Sequence, residues 1–264
     1  MNLKQIYAIA KKEVKLGLRF KYNFVFETLL SPLRLFVLFV IVYTGFFSSG
    51  ASNVGNVEKE NYLLFLLLGA SVYSFFSLGF SLFYVKFYNE KYWKTIQALL
   101  IAPIDRIDLI MGVGLSEIVK LSLTMPFFFG MAFILSPTHL SSFIVVLVTI
   151  LLLFLGVLSF SLIQGAFTLS NENFLFLFTY IFWIWGILSC FYYPIEALPD
   201  IVKPLVRVNP IYHGLVIVRG VWVDGYVSNF FVHFLFVLAF AILTPAVSIP
   251  IFNKVIKKYG ATGY

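Results

Sequence analysis

Six long apolar stretches account for most of the 264 residues, and the short polar gaps between them carry an uneven share of the lysines and arginines. With 61% hydrophobic and only 12% charged residues, a chain of this length folding in water has no core large enough to hide its apolar surface. A bilayer accepts that surface as an exterior. Runs of about 20 apolar residues place spans near residues 24–47, 62–84, 109–135, 140–169, 174–193 and 227–252. Each is expected to be a helix, because lipid offers no partner to an open backbone N–H or C=O. The runs are continuous rather than alternating, which argues against a transmembrane β-barrel.

The basic residues orient the spans. Lys4, Lys11, Lys12, Lys15, Arg19, Lys21, Lys86, Lys91, Lys94, Arg106, Lys254, Lys257 and Lys258 fall on one side of a six-span layout. Only Lys59, Lys203, Arg207 and Arg219 fall on the other. That split places both termini in the cytoplasm of a multi-pass protein of the cell membrane. The net charge of +7 then reflects topology and attraction to anionic headgroups. It does not point to nucleic acid, because the basic residues flank spans and form no separate basic domain. The start of the chain lacks the short apolar core and small-residue site of a cleaved signal peptide. The single Cys190 has no intrachain partner, and no Cys/His cluster has metal-ligand spacing.

Three polar segments stand out. In residues 1–22, Leu3, Ile6, Tyr7, Ala10, Val14 and Leu18 share one helical arc, and Lys4, Lys11, Lys12, Lys15 and Arg19 lie on the arc beside it. An apolar face next to a basic one suits an interfacial helix at an anionic leaflet. A plain anchor and a lever pushed by a cytoplasmic partner both fit. The second segment, 86–108, is long for a connection between adjacent spans. Within it Trp93, Ile96, Gln97, Leu100 and Ile101 follow helical spacing until Pro103 closes the short helix, which fits a cytoplasmic docking helix or an interfacial helix that only completes the loop. The third, 194–226, is expected outside. Prolines at 194, 199, 204 and 210 divide it into apolar pieces, 201–208 and 211–223, too short to cross but suited to dipping back as half-helices or to resting on the surface as a loop. Asn209 is expected to cap the second piece, with Pro210 at its first position.

These segments, in this order, resemble the permease subunit of type-2 ABC transporters, the family of drug, polysaccharide and nodulation-factor exporters. EKYWKTIQALLIAPIDRIDLIMG is similar to the family's cytoplasmic pattern through Thr95, Leu99, Leu100 and Pro103, although Lys94 stands for the family glycine and Gln97 for its glutamate. YYPIEALPDIVKPLVRVNPIYHGLVIVRG is similar to its external pattern through Pro194, Leu198, Pro199, Asn209, Pro210, His213 and Arg219. The resemblance implies an all-α membrane protein of six transmembrane helices forming a single transmembrane domain. It adds an N-terminal interfacial helix, a coupling helix carrying Trp93, Thr95, Ile96, Leu99, Leu100 and Pro103, and external re-entrant half-helices. It also implies a second permease copy, most simply a homodimer, and an ATP-driven export function. The chain has no G-x-x-x-x-G-K-[ST] phosphate loop. It is therefore expected to act as a transport subunit and not an enzyme, with ATP and Mg bound by a separate ABC ATPase subunit.

Charges within or near spans are expensive and need an explanation. Glu117 and Lys120, three apart on one helix, are placed to neutralise one another, either beside a pathway or subunit interface or as a buried structural couple. Glu27 lies seven residues from Arg34, which is placed to meet an anionic headgroup or to snorkel to the surface. Rival classes leave weaker traces. A secondary transporter calls for an internal repeat, and residues 1–132 do not resemble 133–264. A channel calls for polar rings, while the fifth span is nearly all apolar. A membrane enzyme calls for clustered titratable groups, while His139, His213 and His233 are scattered in sequence. With 32 Phe and 15 Tyr, pathway walls would suit a hydrophobic or amphipathic cargo such as a lipid, a lipid-linked glycan or a drug.

Overall fold

The computed structural model describes residues 2–26, 30–48, 53–55, 57–95, 105–171 and 173–262. They form an all-α bundle of long apolar helices, the architecture of a membrane-embedded protein. In order these are α1 (Leu3–Arg19), α2 (Lys21–Val25), α3 (Ser31–Ser48), α4 (Lys59–Tyr92), α5 (Arg106–Leu135), α6 (Leu140–Ser170), α7 (Phe174–Leu188), α8 (Lys203–Val208), α9 (Pro210–Val223) and α10 (Phe230–Thr262). A two-residue hairpin, β1 (Asn53–Val54) with β2 (Val57–Glu58), joins α3 to α4 and pairs Asn53 with Glu58.

Among the described residues α4, α5, α6 and α10 are long and apolar enough to cross a membrane. The other two expected spans differ. Over the first, at 24–47, the described residues are helical in two pieces, α2 to Val25 and α3 from Ser31, and residues 27–29 between them lie outside the described residues. The fifth ends at Leu188 rather than 193, and its 15 residues rise about 22 Å, short of the roughly 30 Å hydrocarbon core. Cys190 takes a left-handed φ of 57°, which turns the chain out of the helix. The expected gap at 86–108 is also shorter than it looks in sequence, because α4 continues to Tyr92 and α5 starts at Arg106.

The centre is α6, packed against α4 on one side and α10 on the other. Small residues set the distances. A β-carbon on Gly156 would lie 2.4 Å from the Phe240 ring, and one on Gly165 would lie 2.5 Å from the Phe87 ring. Close approach of this kind replaces the hydrophobic drive that is missing between helices in lipid. On α4, Phe76, Phe80, Phe83 and Phe87 are buried along one face, as three- and four-residue spacing requires. Phe76 stacks on Phe182 of α7 at 5.3 Å, and Phe87 stacks on Phe252 of α10 at 5.4 Å.

Candidate functional site

At one end of α4 the chain builds a platform. Helix α1 is capped by Asn2, whose side chain accepts from the Lys4 N–H at 3.1 Å. The Asn2 backbone N–H donates to the buried Asp108 carboxylate at 2.9 Å, at the start of α5. Glu13 pairs with Lys86 of α4 at 2.7 Å. The amphipathic arc of α1 is therefore divided. Ile6, Ile9 and Ala10 are buried, while Leu3 and Tyr7 stay exposed. Gly112 makes the seat, since a β-carbon there would lie 2.7 Å from Ile9 Cβ and 2.9 Å from the Ile6 carbonyl. The helix expected to lie on the membrane is docked on α5 along one side.

The expected coupling segment begins on this platform. Trp93 is 71% exposed and meets Tyr92 edge-on at 5.3 Å. Lys94 takes a φ of 57°, and the Thr95 hydroxyl bonds the Glu90 carboxylate. Asp105 caps α5 by accepting from the Ile107 N–H at 3.1 Å. Ile96, Leu99, Leu100 and Pro103 lie outside the described residues. What is described frames them, with α4 delivering the chain at Thr95 and α5 receiving it at Asp105.

The opposite end of α4 meets the proline-divided segment. Pro194 is buried and opens a 3-10 turn, Ile195–Ala197, and Pro199 is exposed. Lys203, opening α8, pairs with Asp200 at 2.6 Å, and that hydrogen bond holds the exposed carboxyl below its ordinary pKa. The second apolar piece is α9, and its cap is as the sequence pattern predicts. The Asn209 side chain accepts from the Ile211 N–H at 3.0 Å, and Pro210 sits in the first turn. Asn209 does more than cap. Its Oδ1 also accepts from Trp185 Nε1 of α7 at 3.0 Å, and its Nδ2 donates to Ser189 Oγ at 3.0 Å. Ile211, Leu215, Ile217 and Val218 of α9 are buried, so this piece is a packed helix rather than a surface loop.

Two side chains of α9 carry the rest. His213 Nε2 lies 2.8 Å from the Arg207 carbonyl, which only accepts, so that nitrogen donates. His213 Nδ1 then accepts from His233 Nδ1 of α10 at 2.7 Å in the neutral pair. Phe236 stacks on His213 at 4.0 Å. The scattered histidines of the sequence thus include a pair, brought together by the turn between α9 and α10. Arg219 reaches back towards α7. Its Nη1 donates to the Cys190 carbonyl at 3.1 Å, and its Nη2 to the Phe191 and Phe65 carbonyls at 2.6 and 3.4 Å. Its guanidinium lies 3.4 Å from the centroid of the Phe65 ring, a cation–π geometry. By binding the two carbonyls after α7, Arg219 holds the turn that ends that helix early.

Of the charges expected within spans, Glu117 and Lys120 form an ion pair at 2.5 Å, the carboxylate side chain 6% exposed and the ammonium 30%. Arg34 is exposed and makes no ion pair among the described residues; Glu27 lies outside them. A cavity of about 160 Å³ opens between α3, α4 and α5, with Tyr73, Ser77 and Thr124 as hydroxyls among apolar Pro32, Leu35 and Phe128. Sequence reasoning missed Gly69, Trp185 and Ser189, which hold this assembly together. A tryptophan in an apolar run gives no sign of its partner 24 residues away, whereas the arginine and asparagine were visible as polar residues among prolines.

A family model described as ABC-2 type transporter matches residues 4–223 of the chain. No curated protein matches it.

Proposed function

The chain belongs to the ABC-2 type transporter family, so it is the membrane-embedded permease subunit of an ABC transporter, and on that premise we propose that it serves an ATP-driven exporter of hydrophobic or amphipathic cargo. The family match over 4–223 carries this reading. In it the chain is a single six-span transmembrane domain of the cell membrane, with both termini in the cytoplasm. Two copies work with two separate ATPase subunits that bind ATP and Mg.

The platform at the α1 end of α4 supports the docking role. Trp93 and Thr95 on one side and Asp105 on the other frame residues 96–104. The Asn2–Asp108 and Glu13–Lys86 links tie α1, α4 and α5 into one body that a partner can push. An ATPase docked on Trp93, Ile96, Leu99, Leu100 and Pro103 would load the end of α4 and the start of α5 at once. The other end supports a gating role. Asn209, Pro210, His213 and Arg219 fix α9 as a buried half-helix that caps the bundle as a re-entrant element, with Pro194 and Pro199 shaping the chain that leads to it. The cavity between α3, α4 and α5 offers hydroxyls in an apolar wall, which suits an amphipathic cargo. Arg34 on α3 and the Glu117–Lys120 pair on α5 belong to the helices that line it.

The test is to co-purify the chain with its ATPase, reconstitute both in nanodiscs, and follow ATP turnover against candidate lipids, lipid-linked glycans and drugs. Leu99→Asp or Leu100→Asp should leave insertion intact and abolish cargo-stimulated turnover. Normal coupling in both variants would remove the segment from the mechanism. Transport that follows an ion gradient and ignores ATP would instead establish a secondary transporter.

A further inference from the structure

A second cavity, of about 430 Å³, lies at the hairpin end of α4, between β2, the first turns of α4 and the end of α9. Its size is that of a small-molecule pocket, and its charges are unusual. Arg219 lines it from α9, Glu58 from β2 and Asp224 from the end of α9, with the Asn61 carboxamide between them on α4. Among the described residues none of these three charges makes an ion pair. The Arg219 guanidinium has five N–H groups. Three meet the carbonyls of Cys190, Phe191 and Phe65, and its Nε is buried without an acceptor. Those carbonyls fix the position of the cation but supply no opposite charge.

A simple anion entering this cavity would meet two carboxylates, and a simple cation would meet a fixed guanidinium. A ligand carrying both signs satisfies both walls. We infer that this cavity binds a zwitterion with a phosphate and a primary ammonium, the phosphoethanolamine group, with the phosphate towards Arg219 and the ammonium towards Glu58 and Asp224. Arg–phosphate pairing is charge-assisted and directional. A primary ammonium has three N–H donors for two carboxylates and the Asn61 oxygen, whereas a choline needs an aromatic cage. Here the Phe65 ring is already covered by Arg219. The group has two sources, the headgroup of a membrane lipid or a soluble phosphoethanolamine compound. The inference does not depend on the transport reading, because it concerns binding without ATP.

The full chain is placed in nanodiscs of equal phosphatidylethanolamine and phosphatidylglycerol, extracted, and weighed by native mass spectrometry with its retained lipid. In parallel, soluble glycerophosphoethanolamine is titrated by calorimetry. Preferential retention of phosphatidylethanolamine, about tenfold as the lower end for one hydrogen bond to a charged group warrants, supports a lipid source. Calorimetric binding of the soluble compound supports the same site with a soluble source. The Glu58→Gln/Asp224→Asn double variant changes two exposed side chains to near-isosteres, so it should melt like the parent. In it the preference should disappear and shift towards phosphatidylglycerol, because Arg219 remains alone. Equal retention of both lipids without calorimetric binding, or a preference that survives in the double variant, overturns the inference. Arg219→Lys serves as a second probe. It should weaken the phosphate contact, and a melting comparison separates that effect from loss of the turn Arg219 holds.

Discussion

Gly69 leaves no room for a β-carbon. One built there would lie 1.8 Å from the Phe191 carbonyl oxygen and 2.7 Å from Arg219 Nη2, so the glycine admits the strand of chain that Arg219 clamps. Gly69→Ala should therefore destabilise the folded protein by about 1–3 kcal/mol, the range for overpacking. Gly130→Ala, where nothing lies within 4 Å, should be neutral or gain about 0.5–1 kcal/mol from helix propensity. Melting of the two variants in detergent, side by side, checks the contrast, and similar midpoints would show that the turn after α7 yields freely. Asn209 poses a different question, because one side chain serves three partners. Asn209→Ala should cost about 0.5–2 kcal/mol for the lost cap. It should also cost up to about 1–3 kcal/mol, the range for a fully buried donor, for the half-buried Trp185 N–H left without an acceptor. A double-mutant cycle with Trp185→Phe isolates the second part. Coupling below about 0.5 kcal/mol would mean that the indole finds another partner.

The elements differ in how firmly each is tied down, and α1 is the clearest case. It is held on α5 by the close seat at Gly112 and the Asn2–Asp108 bond, and tied to α4 by the Glu13–Lys86 pair. Gly112→Val should lift it, because the added branches would enter the space of Ile9. Maleimide labelling of an Ile9→Cys reporter should then rise severalfold, and ATP turnover coupled to cargo should fall with it if α1 is the lever rather than an anchor. Unchanged labelling would show that α5 absorbs the substitution. Which elements were legible in the sequence follows from range. The cap at Asn209 and the Glu117–Lys120 couple are local patterns within four residues, and both are found in the structure. The apolar arc of α1 repeats at three- and four-residue steps, and it is found as a helix whose arc is divided between buried and exposed residues. The shortening of α7 was not legible, because it depends on Arg219 binding the Cys190 and Phe191 carbonyls from nearly 30 residues away. The His213–His233 pair was hidden for the same reason.

At the scale of the whole molecule, the outward face of α7 calls for a cover. Only Phe178 is buried in that helix, while Phe176, Tyr180, Trp183, Ile184 and Ile187 are exposed along one stripe. Its inner face is anchored by the Phe76–Phe182 stack and the Asn209–Trp185 bond. A helix about 22 Å long does not reach across the roughly 30 Å core, so lipid alone would leave its ends poorly matched. A second copy of the chain packed on the stripe would cover both the face and the ends. Cysteines introduced at Tyr180 and at Trp183 should each crosslink to a species of twice the 30.1 kDa chain mass, in membranes and at low protein density. A cysteine at Leu243 of α10, equally exposed at 62% but on a helix long enough to span by itself, should crosslink far less. Equal yields from all three positions would indicate random collision, and a monomer in complex with one ATPase would falsify the two-copy assembly. A pair joined through α7 would also bring two copies of the aromatic wall around Phe182, Trp183 and Tyr193 to the shared interface, where a path for an amphipathic molecule would be lined from both sides.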